Sequence, residues 1–459
     1  MSLMFILKPF AMIMSPGRWP ASQAPSHLAA IERLVDLDLA EQKLSAAMSR
    51  IQEQIDRDPK LALAWAMRGK IYLAQRDFTH AETDLLKAIE LDPNLEPAYI
   101  LLAQLYVASN RTEQAIEKLN GFIEKRQTVP TLMLLAGIQE RTKNFAAARD
   151  AYEKVLGLSA NYSPALNNLA VLYSEQLGQL DKAYDLAKKA KEANPNEPHL
   201  ADTLGWILFK RGEYADALRM LQESAAKLPA NPEIQFHLGS AHYMLGQDEP
   251  ALVALKKATD ASADFSGKGD ARRRLAMLSI DASATTPAVR TELQNYLREQ
   301  PDDPVALAKF AEIQARDGAL EEAIKTYEKI LSGNPLFAPA MRRLANLYGQ
   351  RSVDDPKAYD VAQKAYQAYP QDPEVARALG ILSYRREHYP RAAELLRQAA
   401  LKRTDDAEIL YYLGAAHHQL KQWNECKTAL ERALGLNLAP ALADKAKPTL
   451  AECSESASP

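Results

Sequence analysis

Along most of the chain, apolar residues recur at helical spacing in paired stretches, and each pair breaks at a short polar or glycine-containing turn. Three stretches show the pattern: "AWAMRGKIYLAQRDFTHAETDLLKAIELDP" (64–93), "HLADTLGWILFKRGEYADALRMLQESAAKLP" (199–229) and "AEILYYLGAAHHQLKQWNECKTALERALGL" (407–436). Each predicts a helix with a small residue near its middle, a turn, and a second helix. The second helix carries small residues seven apart, as in Ala81 and Ala88 or Ala217 and Ser224. A proline often follows, at Pro59, Pro93, Pro195, Pro229, Pro301, Pro335 and Pro370. Proline lacks an N–H and cannot continue the helix, so the chain turns into the next pair. The unit recurs every 34 residues or so, a period that signals a stacked repeat architecture.

One column of the repeat runs against local propensity. Gly69, Gly205, Gly239, Gly380 and Gly414 fall in the middle of first helices, where glycine costs roughly 1 kcal/mol relative to alanine. Elsewhere the same column holds Ala103, Ala136, Ala170, Ala311 and Ala345. A minimal side chain there predicts close approach of the paired helix. Apolar neighbours such as Leu204 and Leu208 can then bury, each contributing about 1.5–3 kcal/mol when fully covered.

These columns resemble those of the tetratricopeptide repeat, from residue 28 to about 440, with starts near 28, 62, 96, 129, 163, 198, 232, 304, 338, 373 and 407 and a weaker unit between 270 and 303. The resemblance implies an all-α fold, a right-handed superhelical α-solenoid of about eleven to twelve helix-turn-helix repeats. Arg68 stands where the family carries Leu, and Cys426 where it carries Ala. Cys426 reads as a small buried residue rather than a reactive one.

A larger duplication lies within the small one. "QERTKNFAAARDAYEKVL" (139–156) aligns with "QARDGALEEAIKTYEKIL" (314–331), an offset of 175 residues. The offset also pairs 167–190 with 342–365, both with a turn one residue longer, and 269–279 with 444–454. Segments 269–280 and 441–454 read as amphipathic caps, which solenoids need at their ends. The domain organisation expected is a disordered or signal-like tail over 1–27, a first array over 28–280, a linker over 281–287, a second array over 288–455 and a tail over 456–459. A single continuous superhelix through 270–303 is the alternative.

Composition narrows the function more than it identifies it. Lys and Arg number 56 against 59 Asp and Glu, a formal net charge of −3, which argues against nucleic acid as a partner. The apolar start "MSLMFILKPFAMIMSPGRW" is interrupted by Lys8 and Pro9 and lacks early positive charge, so it makes a weak signal peptide. No apolar run reaches the roughly 18 residues of a membrane span. The compartment stays open between cytoplasm and envelope. Two cysteines, Cys426 and Cys453, make neither a disulfide framework nor a zinc site of usual spacing. Phosphate-loop, H-E-x-x-H and G-x-S-x-G motifs are missing. His417 and His418 point to different helix faces, and His237 and His242 are five apart, poor spacing for a metal pair. No catalytic residue, cofactor or metal ligand is expected, and the chain reads as a non-enzymatic scaffold.

By resemblance, partners lie along a concave face lined by the first helices. In the first array the lining columns hold Asn167, Asp202, Trp206, Phe209, Phe236, Ser240 and Tyr243, a floor suited to a peptide or a sugar chain. In the second they bring Lys309, Arg342, Arg343, Asn346, Arg377 and Arg385, with Arg274 at the junction, which points to an acidic peptide or anionic polymer. The asparagine ladder of the family's sugar-nucleotide transferases is met only by Asn168, and the chaperone carboxylate clamp fails at Ala378 and Tyr412. The stretch 165–275, ending in an "F-x-G…A-x-x-x-L" helix (Phe265 to Leu275), is also similar to tetratricopeptide proteins of bacterial exopolysaccharide and exosortase systems. That likeness implies a scaffold in envelope assembly, or alternatively a carbohydrate-contacting factor.

Overall fold

The computed structural model describes residues 26–284, 286–350 and 356–456. The tail expected at 1–27 therefore lies outside the described residues as far as residue 25, and Ser26 opens the first helix. The chain divides into two compact units, 1–207 and 208–459.

In the first unit the described helices are α1 (Ser26–Ala40), α2 (Leu44–Arg57), α3 (Ala62–Gln75), α4 (Phe78–Leu91), α5 (Glu96–Ala108), α6 (Thr112–Ile123), α7 (Val129–Arg141), α8 (Phe145–Leu158), α9 (Ser163–Glu175) and α10 (Leu180–Ala193). The unit boundary falls inside α11 (Pro198–Lys210). The second unit continues with α12 (Tyr214–Lys227), α13 (Pro232–Met244), α14 (Asp248–Asp260), α15 (Lys268–Ser279), a 3₁₀ turn at Ala282–Ala284, and α16 (Pro287–Glu299). It goes on through α17 (Pro304–Arg316), α18 (Leu320–Gly333), α19 (Ala338–Gln350), α20 (Pro356–Ala368), α21 (Pro373–Arg385), α22 (Tyr389–Lys402), α23 (Ala407–Gln419), α24 (Trp423–Gly435) and α25 (Pro440–Ser456). The described residues contain no strand. The fold class is the all-α repeat solenoid that the periodicity predicts.

Each hairpin is built around the small-residue column. A Cβ placed on Gly69 would sit 2.8 Å from Leu85 Cγ, and on Gly239 2.8 Å from Leu255 Cγ. On Gly380 and Gly414 it would sit 2.7 Å from Leu396 and Leu430 Cγ. In all four the partner lies sixteen residues on, across the hairpin, so the leucine occupies the volume that a side chain would need. Packing outweighs helix propensity. The seven-spaced residues Ala81, Ala88, Ala217 and Ser224 are all fully buried and form the seam of the second helices. First helices are flanked on more sides, and in α23 every residue from Ile409 to His417 is buried.

Arg68 and Asp84 occupy neighbouring positions across one hairpin as a polar substitute for this packing. Arg68 donates through Nε and Nη2 to both Asp84 oxygens at 2.7 and 2.8 Å and through Nη1 to Gln52, and its guanidinium lies 4.6 Å from the Trp65 ring. Asp84 is 3% exposed, and the bidentate pair satisfies a carboxylate that would otherwise be stranded.

Helix bounds repeat at the 175-residue offset. α7, α8 and α9 span 129–141, 145–158 and 163–175, while α17, α18 and α19 span 304–316, 320–333 and 338–350. The correspondence continues from α11–α14 to α21–α24. The longer turn at 176–179 is described; its counterpart at 351–355 lies outside the described residues.

Candidate partner-binding site

The cations expected to line a groove in the second array are held by the protein itself. Arg342 Nη1 lies 3.5 Å from Asp372, and Arg343 Nη2 donates to Glu312 at 3.2 Å. Arg377 donates to Asn346 Oδ1 at 3.0 Å and to Glu408, while Asn346 donates in turn to Glu374 at 2.9 Å. Arg385 is also engaged. Lys309 Nζ donates to the carbonyls of Ile280 (2.5 Å) and Leu278 (3.3 Å), closing the end of α15. Burial lowers the Lys309 ammonium below its ordinary pKa, while the nearby Asp248 carboxylate opposes that shift; burial raises Asp248 itself. Arg342, Arg343 and Arg377 are thus each paired with a carboxylate from another helix, which reduces the field an outside partner would meet.

The aromatic candidates divide between the units. In the first, Asn167 and Trp206 are half-buried, Asp202 has an internal interaction, and Asn167 Oδ1 is buried without a hydrogen-bond partner. In the second, Phe209 packs edge-on against Tyr214 at 5.3 Å, and Phe236 lies 5.7 Å from Phe265. Phe236 and Tyr243 are 4% and 0% exposed, and Ser240 is fully buried, so they serve as packing rather than as an open floor. Gly267 explains the F-x-G signature. A Cβ there would fall 2.2 Å from Phe236 Cε1, so only glycine lets the loop before α15 close over that ring.

Arg274 connects these elements. From α15 its guanidinium reaches between two rings, 5.4 Å from Phe209 and 5.3 Å from Tyr243. Its Nη1 is buried with no hydrogen-bond partner. Behind it, Tyr243 donates its hydroxyl to Asp303 at 2.8 and 3.0 Å, and Tyr296 donates to the same carboxylate at 3.1 Å. Asp303 also accepts from the backbone N–H groups of Val305 and Ala306, capping α17. Burial beside that carboxylate pushes the Tyr243 phenol well above its ordinary pKa and Tyr296 up to about 12.

Two features were not anticipated. A second aromatic cluster stands at the duplicated positions. Tyr384 lies 5.6 Å from Tyr389 and 5.5 Å from Tyr412, which is 5.0 Å from Tyr411. Phe209, Tyr214, Phe236 and His237 are their counterparts at the 175-residue offset, so comparing the blocks column by column, rather than looking for arginines, would have found it. The other feature corrects the reading of the cysteines. Cys426 is buried as expected, but it is bonded to Cys453 with the Cα atoms 6.2 Å apart. Folding lays α25 on α24, which brings together two residues that are 27 apart in sequence.

Shallow grooves also recur at this offset. One, of about 530 Å³, is lined by residues including Gln235, Leu238, Glu249, Val253 and Lys257. The other, of about 310 Å³, is lined by their counterparts Leu410, Leu413, Asn424, Thr428 and Arg432. Among the described residues no group of His, Cys, Asp and Glu is arranged to hold a metal ion, and no helix is long and apolar enough to cross a membrane.

Tetratricopeptide-repeat family models match residues 62–95, 100–163, 141–207 and 208–271. The chain is a tetratricopeptide-repeat protein. A model described as anaphase-promoting complex, cyclosome, subunit 3 matches 355–433 of this repeat protein. The TPR repeat-containing protein YpiA of Bacillus subtilis is 23% identical over 309 residues, 65% of this chain and 69% of that protein. The TPR repeat-containing protein PA4667 of Pseudomonas aeruginosa is 29% identical over 127 residues, 28% of this chain, and the match spans only 21% of that protein's length. Among solved structures, the Cut9–Hcn1 hetero-tetramer of the APC/C aligns at a TM-score of 0.42 with 17% identity, covering 99% of this chain and 96% of that one.

Proposed function

We propose that this tetratricopeptide-repeat protein is a non-enzymatic scaffold that holds other proteins along its repeat surface. The carrying observation is that helical hairpins account for nearly all the described residues, and the polar residues singled out within them are mostly engaged in holding the hairpins together. The repeats themselves, rather than a separate catalytic fold, supply the surface for function. A carbohydrate-contacting role would need ring faces open to a sugar, and the burial of Phe236 and Tyr243 favours the protein-binding reading instead.

Service in a bacterial envelope or exopolysaccharide system is the finer form of this proposal. It rests on the sequence likeness over 165–275 and is favoured by the Cys426–Cys453 disulfide, a bond that persists in oxidising compartments. The test is affinity capture on the immobilised full chain from extracts of its source cells, with and without polysaccharide-degrading enzymes. A defined set of proteins retained equally in both is expected. Loss of the retained proteins after digestion would overturn the reading in favour of a glycan contact.

A further inference from the structure

We infer that two equivalent grooves in the second unit each take a short extended peptide segment that carries an apolar anchor between one basic and one acidic residue; this rests on the scaffold reading above. The grooves originate in one column of the repeat. Near the end of each second helix most hairpins carry an apolar residue, such as Ile55, Leu156 or Leu331. Those side chains pack onto the first helix that follows, Leu156 with Leu166 and Leu331 with Met341. The column holds alanine at Ala225 and again, at the duplicated position, at Ala400. Truncation there leaves space over the next first helix, at Gln235 and Leu238 in one block and at Leu410 and Leu413 in the other. The grooves measure about 530 and 310 Å³. That is room for a few side chains and too little for a helix about 10–12 Å across.

Both grooves have the same polarity along their length. Apolar surface lies at the centre: Leu238, Ala254 and Val253 in the first, with Val253 51% exposed, and Leu413 and Ala429 in the second. An acid stands near the start of the bordering second helix, Glu249 in α14 and Glu425 in α24. A base stands about two turns further on, Lys257 and Arg432. The direct counterpart of Glu249 is Asn424, so the acid is kept although it has moved by one position. All four charged side chains are exposed, and among the described residues none of them is in an ion pair. Arg432 donates to a neutral acceptor, the Thr404 carbonyl, at 3.2 Å. The arginines of the first helices, by contrast, already hold carboxylates. Eight residues of helix rise about 12 Å, which four residues of extended chain span at about 3.3 Å each. A bound segment therefore sets its base against Glu249 or Glu425 and its acid against Lys257 or Arg432, with the anchor between them filling the space above Leu238 or Leu413.

The test pans a phage-displayed library of random 12-residue peptides against the full chain and measures the selected peptides by isothermal titration calorimetry. The expected consensus is an apolar residue with a base on one side and an acid on the other, about four positions apart. Binding should occur at two sites per chain, one for each groove. Ala225→Leu and Ala400→Leu restore the kind of side chain that other hairpins carry, so the fold should accept them. Each alone should leave one site, and both together should weaken binding by about tenfold or more with unchanged circular dichroism. Lys257→Glu combined with Arg432→Glu gives a readout that misfolding cannot imitate: panning should now select bases on both sides of the anchor. A consensus without charges, one that the charge reversals leave as it was, or binding that survives both leucines overturns the inference. If no peptide is enriched and the double leucine variant turns a dimer into a monomer in analytical ultracentrifugation, the grooves hold a second copy and the inference fails. If no peptide is enriched and the mass is unchanged, it fails outright. The scaffold reading is judged separately by the affinity capture described above. Proteins retained equally on the wild type and on the double leucine variant leave the scaffold standing and remove the grooves from it; a wild type that retains no protein overturns the scaffold itself.

Discussion

The cap helices α15 and α25 stand at the same place in the two duplicated blocks, yet they are secured by different chemistry. The end of α15 and the turn after it are held by the repeats that follow: Lys309 bonds the Leu278 and Ile280 carbonyls, and Arg316 bonds that of Ala282. α25 is tied to α24 by the Cys426–Cys453 disulfide and to α23 by His418, which pairs with Glu452 at 2.9 Å. The counterparts of the two cysteines in the first block are Ala251 and Leu278, fully buried and half-buried respectively. One cap is fastened by hydrogen bonds from neighbouring hairpins, the other by a covalent bond. The duplicated scaffold thus preserves helix lengths and the small-residue column while leaving the fastening free to change.

Breaking the covalent bond is the sharpest test of that difference. Cys453→Ser, or reduction, should lower the stability of the last hairpin by about 3.5 kcal/mol, the amount expected for a loop closed over 27 residues. Hydrogen exchange should rise over 440–456 while 268–279 stays unchanged, because damage in a solenoid stays near its origin. Equal protection of both caps after reduction would show that the disulfide secures nothing.

The small-residue column should behave alike in both blocks. Gly239 and Gly414 are equivalent, and leucine at either would collide with Leu255 or Leu430. Each substitution should cost about 1–3 kcal/mol by overpacking. Denaturant titration that found one harmless and the other severe would break the equivalence inferred from the matched contacts.

The fold was legible because it is written many times. Glycine and alanine columns, prolines after second helices and the 175-residue offset each recur, so isolated departures such as Arg68 did not obscure the pattern. The candidate site was less legible because it depends on partners distant in sequence. The spacing of Arg342 and Arg377 on successive first helices shows that they share a face, but not that Asp372 and Glu408 from later hairpins neutralise them. Tyr243 reads as a lining residue by column, and only the fold shows that Asp303, sixty residues away, receives its hydroxyl. The disulfide was missed for the same reason, since Cys453 lies in a cap that the repeat pattern barely covers.

Polar fastening near the two caps should also differ in strength. Tyr243→Phe keeps the buried ring and removes one charge-assisted hydrogen bond, so it should cost about 1.5 kcal/mol. Its counterpart, His418→Phe, loses a pair with Glu452, whose side chain is 66% exposed, and should cost no more than about 0.5 kcal/mol. Equal effects would mean that the Asp303 hub contributes no more than a surface contact.

The smallest expected effect lies in the pH dependence of the first block. His242 Nδ1 lies 2.6 Å from Gln247 Oε1, and burial draws its pKa below the usual histidine value, with the Gln247 bond opposing that shift. Because the unfolded chain takes up a proton near pH 6.5 and the folded chain only at lower pH, the unfolded state binds more protons in that window. Folding stability should therefore be full above about pH 6.5 and fall as pH drops from there toward the depressed folded value. His242→Gln removes the titrating group while retaining an amide that can meet Gln247. The difference in stability between wild type and variant, measured by urea titration at pH 8 and again at pH 5, should shift against the wild type at the lower pH. A difference that stays constant with pH, or shifts in the wild type's favour on acidification, would show that His242 is not held neutral by its surroundings.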